Sequence, residues 1–426
     1  PILGSRYYRH LFQCQKDVII QSGSILNSVD DQRTTYVYLT GFYHRESAQT
    51  DLFEREQQVW EDKFPLEDGA ILDICVLGVY TYATIIALLH ILKKYPTCTV
   101  LLPYITPLQR LHLAGNIPID HPHRRELIYF LDYPYESLRK TGAENIYFLC
   151  GNGDPIHGNL DCLEEGYHFT MENDELTKLI CGMEGQTIPV LKSGYIREND
   201  WLFYFGAFGT NVLRIKAFTR QYAKQNKGKP GSDYQKLQEM LKLFERQFGS
   251  NPYPSILLYH GPVWDSPREY TSLMTGRNFP ADRGCQAGIS LNGVDCAIKC
   301  QHDNDYECMQ YHRDKKRNQS RMGIWHLGNI SLKEYLPQIL LYFKDIIEKT
   351  RGLTVPECGS RELWNPQILK QFLGEETIYW ITSAENCQNP GQLIEILTKQ
   401  GYNRLININD AFSYCFSGYL ISNDRL

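Results

Sequence analysis

The stretch Asp73 to Leu88 reads D-I-C-V-L-G-V-Y-T-Y-A-T-I-I-A-L and decides how this chain is organised. Up to Gly78 it is a short apolar run, the composition of a buried strand. Beyond a short turn the period changes, and Ile85, Ile86, Leu88, Leu89 and Leu92 recur as the apolar side of an amphipathic helix. A further strand, Cys98 to Tyr104, follows, and Thr106 and Pro107 then mark the cap and first position of another helix.

Working outward, Tyr8 to Ser22 and Thr34 to Gly41 are rich in β-branched and aromatic residues and read as strands of a first sheet. A charged helical stretch, Asp51 to Phe64, precedes the decisive segment. Glu144 to Cys150 and Trp201 to Phe205 are short aromatic strands. Ser232 to Phe248 is an amphipathic helix carrying Tyr234, Leu237, Met240, Leu241, Leu243 and Phe244 on one side. Pro254 to His260, Met322 to Leu327, Glu376 to Thr382 and Arg404 to Ile408 form a second set of strands. Helices near Ser331 to Lys349, Asn365 to Leu373 and Gly391 to Lys399 separate them. Two sets of strands with helices outside each predict an α/β (α+β) chain built as a four-layer αββα sandwich. The less regular interval is a helical and loop-rich insertion, which gives boundaries at 1–205, 206–322 and 323–426.

These landmarks resemble metallo-β-lactamase-fold hydrolases, in the family's order, from Tyr8 to the C-terminus. The Asp73 segment is similar to the strand that ends in the family's His-x-His-x-Asp-His. Laid on that pattern, its ligand slots hold Val79, Thr81, Ala83 and Thr84. Gly323 to Ile330, G-I-W-H-L-G-N-I, resembles the strand ending in Thr-Gly-Asp, with Asn329 in the slot of the metal-bridging carboxylate. Leu353 to Ser360, L-T-V-P-E-C-G-S, resembles Leu-x-x-Pro-His-His-Gly-Ser, with Glu357 and Cys358 where two histidines would sit. Ile381 to Pro390 resembles the late strand and loop ending in His-Pro, with Asn389 in the histidine slot. Zinc takes imidazole, thiolate or carboxylate, so of these vestigial positions only Glu357 and Cys358 could still ligate.

The resemblance therefore implies an inactive hydrolase frame with no cofactor at the vestigial site. In active relatives two metals lower the pKa of a bridging water and clamp a scissile bond. Here the first expectation is a structural or regulatory subunit that binds another protein; some bacterial relatives of the fold belong to multi-protein systems, including anti-phage defence. A second is a sensor whose old cleft holds a nucleotide or other small ligand through Thr81, Thr84, Asn329 and Asn389. A third is a hydrolase or nuclease with ligands relocated to Glu357, Cys358, His260 and His326.

Within the insertion, Cys296-x₃-Cys300-x₇-Cys308-x₃-His312 has the pairing of a structural zinc site, with Cys285 and His302 nearby. The same residues also read as free, partly buried cysteines beside an exposed loop. The thirteen cysteines are otherwise scattered, which argues against a disulfide framework. Ser360 lacks a nucleophile-elbow context, and Gly151 to Pro155 lacks the helix start of a phosphate cradle. His90 and His326 read as core or rim histidines, and His260 is the histidine best placed for an orphan ligand.

The chain has 426 residues, 42% hydrophobic and 22% charged, enough for a large core in one elaborated domain or two. A net charge of −5 gives no global pull toward nucleic acid or anionic lipid. No run of about 18 apolar residues reads as a membrane span. Pro1 to His10 lacks the apolar core of a secretory signal, so the expected location is the cytoplasm.

Overall fold

In a computed structural model the described residues are 5–15, 18–27, 33–41, 71–151, 166–171, 190–198, 201–209, 211–227, 232–249, 252–262, 270–280, 323–356, 363–372, 379–382, 405–407 and 412–422. Ser5–Gln15 (β1), Val18–Asn27 (β2) and Arg33–Gly41 (β3) form an antiparallel meander. Leu72–Leu77 (β4), Thr97–Pro103 (β5) and Asn145–Leu149 (β6) continue it in parallel. Tyr82–Lys94 (α1) crosses from β4 to β5, and Pro107–Gly115 (α2), Arg124–Asp132 (α3) and Pro134–Lys140 (α4) fill the β5–β6 connection.

Gly166–Met171 (β7) pairs only with Val190–Glu198 (β8) among the described strands, and β8 runs parallel to β6. Trp201–Phe208 (β9) and Ser255–Pro262 (β10) follow antiparallel, with Val212–Asn226 (α5) and Asp233–Phe248 (α6) between them. Gly323–His326 (β12) pairs antiparallel with β10 and starts a parallel set with Thr350–Thr354 (β13), Tyr379–Thr382 (β14) and Leu405–Asn407 (β15). Leu332–Tyr342 (α7) and a 3₁₀ turn at Lys344–Lys349 join β12 to β13. Tyr270–Pro280 (β11) and Phe412–Ser422 (β16) pair together and extend the edge at β1. All the described strands belong to one sheet, so the interval expected as an insertion contributes β10 to its middle.

Side-chain alternation sorts the core into faces. Val37, Leu39, Cys75, Leu77, Val100 and Leu102 pack with Ile85, Leu88, Leu89 and Leu92 of α1. Their neighbours in sequence, Tyr36, Tyr38, Ile74, Val76 and Leu101, pack instead with Trp201, Phe203, Phe205, Ile256 and Leu258. The sheet therefore curls until β3 to β5 meet β9 and β10 face to face. Leu257, Tyr259 and Trp325 point the other way and pack with Leu336, Ile339 and Phe343. Burying each such large apolar side chain contributes about 1.5–3 kcal/mol.

A smaller cluster of Leu108, Ile215, Phe218 and Phe244 holds α2, α5 and α6 together. The Thr106 cap of α2 is reciprocated by Gln109, whose amide also donates to the Pro252 carbonyl. His112 Nδ1 lies 2.7 Å from Tyr253 Oη, so α2 docks on the approach to β10 through two polar contacts.

Three expected elements differ. Tyr8 to Ser22 is two paired strands, because Gln15 pairs with Val18 and only Lys16 and Asp17 lie between them. The Ser331 helix ends at Tyr342 and gives way to a 3₁₀ turn, and the helix expected near Asn365 is 3₁₀ at Pro366–Phe372. The helices expected at Asp51 to Phe64 and at Gly391 to Lys399 lie outside the described residues.

Burial lowers the pKa of His112, with Glu245 opposing, and burial also lowers that of His121, with His123 adding to the effect. A depressed imidazole pKa means that the unfolded chain takes up the proton more readily. Stability is therefore complete above the unfolded value, about 6.5, and is lost as pH falls below it. Urea unfolding between pH 7.5 and 5 should show a falling midpoint, and His112→Gln should flatten part of that fall. An unchanged slope in the variant would exclude His112 as a contributor.

Candidate functional site

The C-terminal ends of β3, β4 and β12 converge where the two facing halves of the sheet meet; of the positions expected as ligand slots, Val79, Thr81 and Asn329 lie on the turns there, and Ala83 and Thr84 lie in the first turn of α1. Thr81 is the N-cap of α1. Its Oγ1 accepts from Thr84 N at 3.1 Å, and Thr81 N donates to Thr84 Oγ1 at 2.9 Å. The Thr84 hydroxyl faces the carbonyls of Val79 at 2.9 Å and Thr81 at 3.0 Å. A threonine hydroxyl has one proton to give, so these contacts use it fully. Val79 is buried as an apolar residue, and Ala83 packs on the helix-side core. The slots of the His-x-His-x-Asp-His pattern thus form a capping box and its apolar support.

Asn329 is also occupied. Its amide donates to the Gly41 carbonyl at the end of β3, while Leu327 N donates to Thr354 Oγ1 at 2.9 Å. None of these groups supplies imidazole, thiolate or carboxylate, so the described positions do not fit the dinuclear metal centre of the resembled family. Among the described residues no group of three His, Cys, Asp or Glu side chains could hold a metal ion.

Tyr38 stands in the middle of this junction. Its phenol donates to the Ile256 carbonyl of β10 at 2.6 Å, tying β3 across to the opposite half of the sheet. The ring lies against the turns on both sides. A Cβ built on Gly78 would meet Tyr38 Oη at 2.5 Å and the Leu39 carbonyl oxygen at 2.8 Å. One built on Gly328, which has φ +57°, would meet the same Oη at 2.9 Å. Gly78 N donates to Leu39 O at 2.6 Å, and Gly78 O accepts from Ile256 N at 2.9 Å. One phenol and two glycines therefore occupy the junction.

Next to Tyr38 lie two fully buried histidines on adjacent strands, His260 of β10 and His326 of β12. Their Nε2 atoms are 2.8 Å apart, and Tyr36 Oη is 3.0 Å from His260 Nε2. Ring centroids 4.9 Å apart with nitrogens at 2.8 Å mean that each nitrogen lies on the side of its ring facing the other. The rings meet head to head, the geometry of an N–H···N hydrogen bond. Two ligands of one tetrahedral metal would aim beside each other with nitrogens about 3.3 Å apart. The neutral pair holds one proton between its nitrogens. Tyr38 stacks on His326 at 5.1 Å, and Trp201 and Phe203 flank His260 at 6.0 and 5.8 Å.

Burial pushes the Tyr259 phenol and the Cys75 thiol upward, away from ionisation near neutral pH. Asp73, also raised by burial, accepts from Thr35 N at 2.7 Å and Thr35 Oγ1 at 2.8 Å, at the opposite end of β4 from the junction.

Sequence reasoning singled out His260 and His326, and the fold brings them together; Thr81, Thr84 and Asn329 lie at the junction but are turned to structural bonds. Glu357, Cys358 and Asn389 lie outside the described residues, as do Cys296, Cys300, Cys308 and His312 of the expected zinc cluster. Tyr36 and Tyr38 were missed, because a strand flanked by buried faces gives no period that says which residues face the junction. Compared with family models and with curated proteins, the chain matches none.

Gly78→Ala should destabilise the protein by about 1–3 kcal/mol, the range of an overpacked core. Denaturant unfolding checks this, and a wild-type midpoint would show that Tyr38 does not fill the junction. In a double-mutant cycle, His260→Phe and His326→Phe should couple by about 0.5–3 kcal/mol, whereas additive losses would mean that the two rings do not share a proton.

Proposed function

We propose that this chain is a degenerate metallo-β-lactamase-type sandwich that has lost catalysis and serves as a structural or regulatory subunit of a multi-protein complex. The single observation that carries the reading is the reciprocal capping box of Thr81 and Thr84. In the resembled family this turn presents metal ligands, and here its hydroxyls are spent on the helix they begin. The three apolar clusters support a four-layer αββα arrangement, with the inner one lying between two faces of the curled sheet and the outer two beneath helices.

Relocation of the metal to His260 and His326 is disfavoured by their head-to-head contact and complete burial. A site built to activate water keeps an open coordination position. A protein partner suits a large frame without such a site, and bacterial anti-phage assemblies are one proposed setting, in the cytoplasm. No described helix is long and apolar enough to cross a membrane.

The test is turnover. The purified chain, supplied with Mn²⁺ or Zn²⁺, should not hydrolyse bis(p-nitrophenyl) phosphate, single-stranded DNA or duplex DNA above background. It should also migrate from gently lysed source cells at a mass above that of the free chain. Hydrolysis that disappears on substituting Glu357, Cys358, His260 or His326 would replace this proposal with an enzyme.

A further inference from the structure

At the junction end of the sheet's inner face, the polar side chains of Gln21 and Thr40 remain unaccounted for. Gln21 on β2 is 1% exposed and Thr40 on β3 is 5% exposed. Val18, Ile20, Val37 and Leu39 belong to the helix-side core, so alternation sends Gln21 and Thr40 to the other face, with Ile25, Tyr36 and Tyr38. The register sets Gln21 opposite Tyr38 and Ile19 opposite Thr40. Both residues thus lie at the junction end of β2 and β3, beside the strand end whose Gly41 carbonyl is bonded by Asn329.

Neither Oε1 nor Nε2 of Gln21 has a hydrogen-bond partner, and Thr40 Oγ1 has none. More than nine in ten buried polar groups in folded proteins are hydrogen-bonded, so an amide with both ends unmet calls for a partner that is not part of the chain. Leucine would fill a similar volume at position 21 without that penalty. Along β2 the adjacent inner-face positions are Ile19, opposite Thr40, and Gly23, which is buried and has no side chain.

The chemistry of the partner follows from the donors and acceptors offered. A carboxamide presents one acceptor and one donor side by side, and its complement is a planar edge with the same pair reversed, as glutamine meets adenine. The buried cations among the described residues, Arg110 and Lys216, lie on α2 and α5, away from this face, so the recognised group is uncharged rather than a phosphate.

We propose that the junction end of β2 and β3 binds the planar amide-like edge of an uncharged ligand, a nucleobase or a primary carboxamide. Gln21 reads the edge through two hydrogen bonds, and Thr40 supplies a third. This site is independent of whether the chain is a subunit of a larger complex, because its groups take no part in the capping box.

Calorimetric titration and thermal unfolding of the full chain with adenosine, uridine and nicotinamide, each to millimolar concentration, test the assignment. At least one should bind and raise Tm, and Gln21→Leu should weaken its binding at least tenfold while leaving the ligand-free Tm at or above that of the unsubstituted protein. Thr40→Val should weaken binding less. Gln21→Met, which keeps the side-chain length, carries the same comparison where the leucine variant does not fold. The assignment is overturned by no binding of any of the three, by unchanged affinity in the Gln21 variants, or by a lowered ligand-free Tm in both, which would mean that the amide has a partner within the chain. None of these results alters the turnover assay.

Discussion

The hydrogen bond from Tyr38 to the Ile256 carbonyl is the constraint on which the junction depends. It spans the facing halves of the sheet with a rigid aromatic spacer, and the backbone on either side has adapted to the ring. Gly78 closes the turn after β4 where any side chain would strike the phenol, and Gly328 does so after β12 with a left-handed backbone. Because Gly78 also exchanges backbone hydrogen bonds with Leu39 and Ile256, the turn that starts α1 is fixed to both halves at once. Removing the ring would leave a carbonyl without its donor and a void between two turns that have no side chains to fill it.

That arrangement decides what the start of α1 can do. A turn that carries metal ligands must hold charged or basic side chains toward an open space with little competition from its own backbone. Here the turn is pressed against Tyr38, and its two threonines face the first amides of the helix, the position where a hydroxyl contributes most to helix stability. The neutral cap also suits a dry location, since a carboxylate left there without a metal would be a buried uncompensated charge.

Much of this frame was legible in the sequence. The apolar run before Gly78 and the helical spacing from Ile85 onward placed β4 and α1, and the Thr106-Pro107 and Ser232 signals placed two more helix starts. Legibility failed where the code is ambiguous. The β1–β2 reversal lacks the Asn-Gly or Asp-Gly pair that marks a tight hairpin, so two strands read as one. Tyr36 and Tyr38 sit in a strand buried on both faces, where alternation carries no polarity contrast and cannot say which residue meets the opposite half of the sheet. The pairing of His260 with His326, 66 positions apart, depends on β10 and β12 becoming neighbours, which no local pattern encodes.

The junction contains two kinds of buried polar group, and their difference bears on function. Tyr36, His260 and His326 form a chain in which each group meets another through Oη or Nε2, a network that fixes the relation of β3, β10 and β12. Such a network specifies structure. Gln21 and Thr40, on the same face a few residues away, meet nothing within the protein. Hydrogen bonds through Tyr36 Oη and the two Nε2 atoms hold the halves of the interface together in one part, while both ends of the Gln21 amide beside them are left for the ligand proposed above.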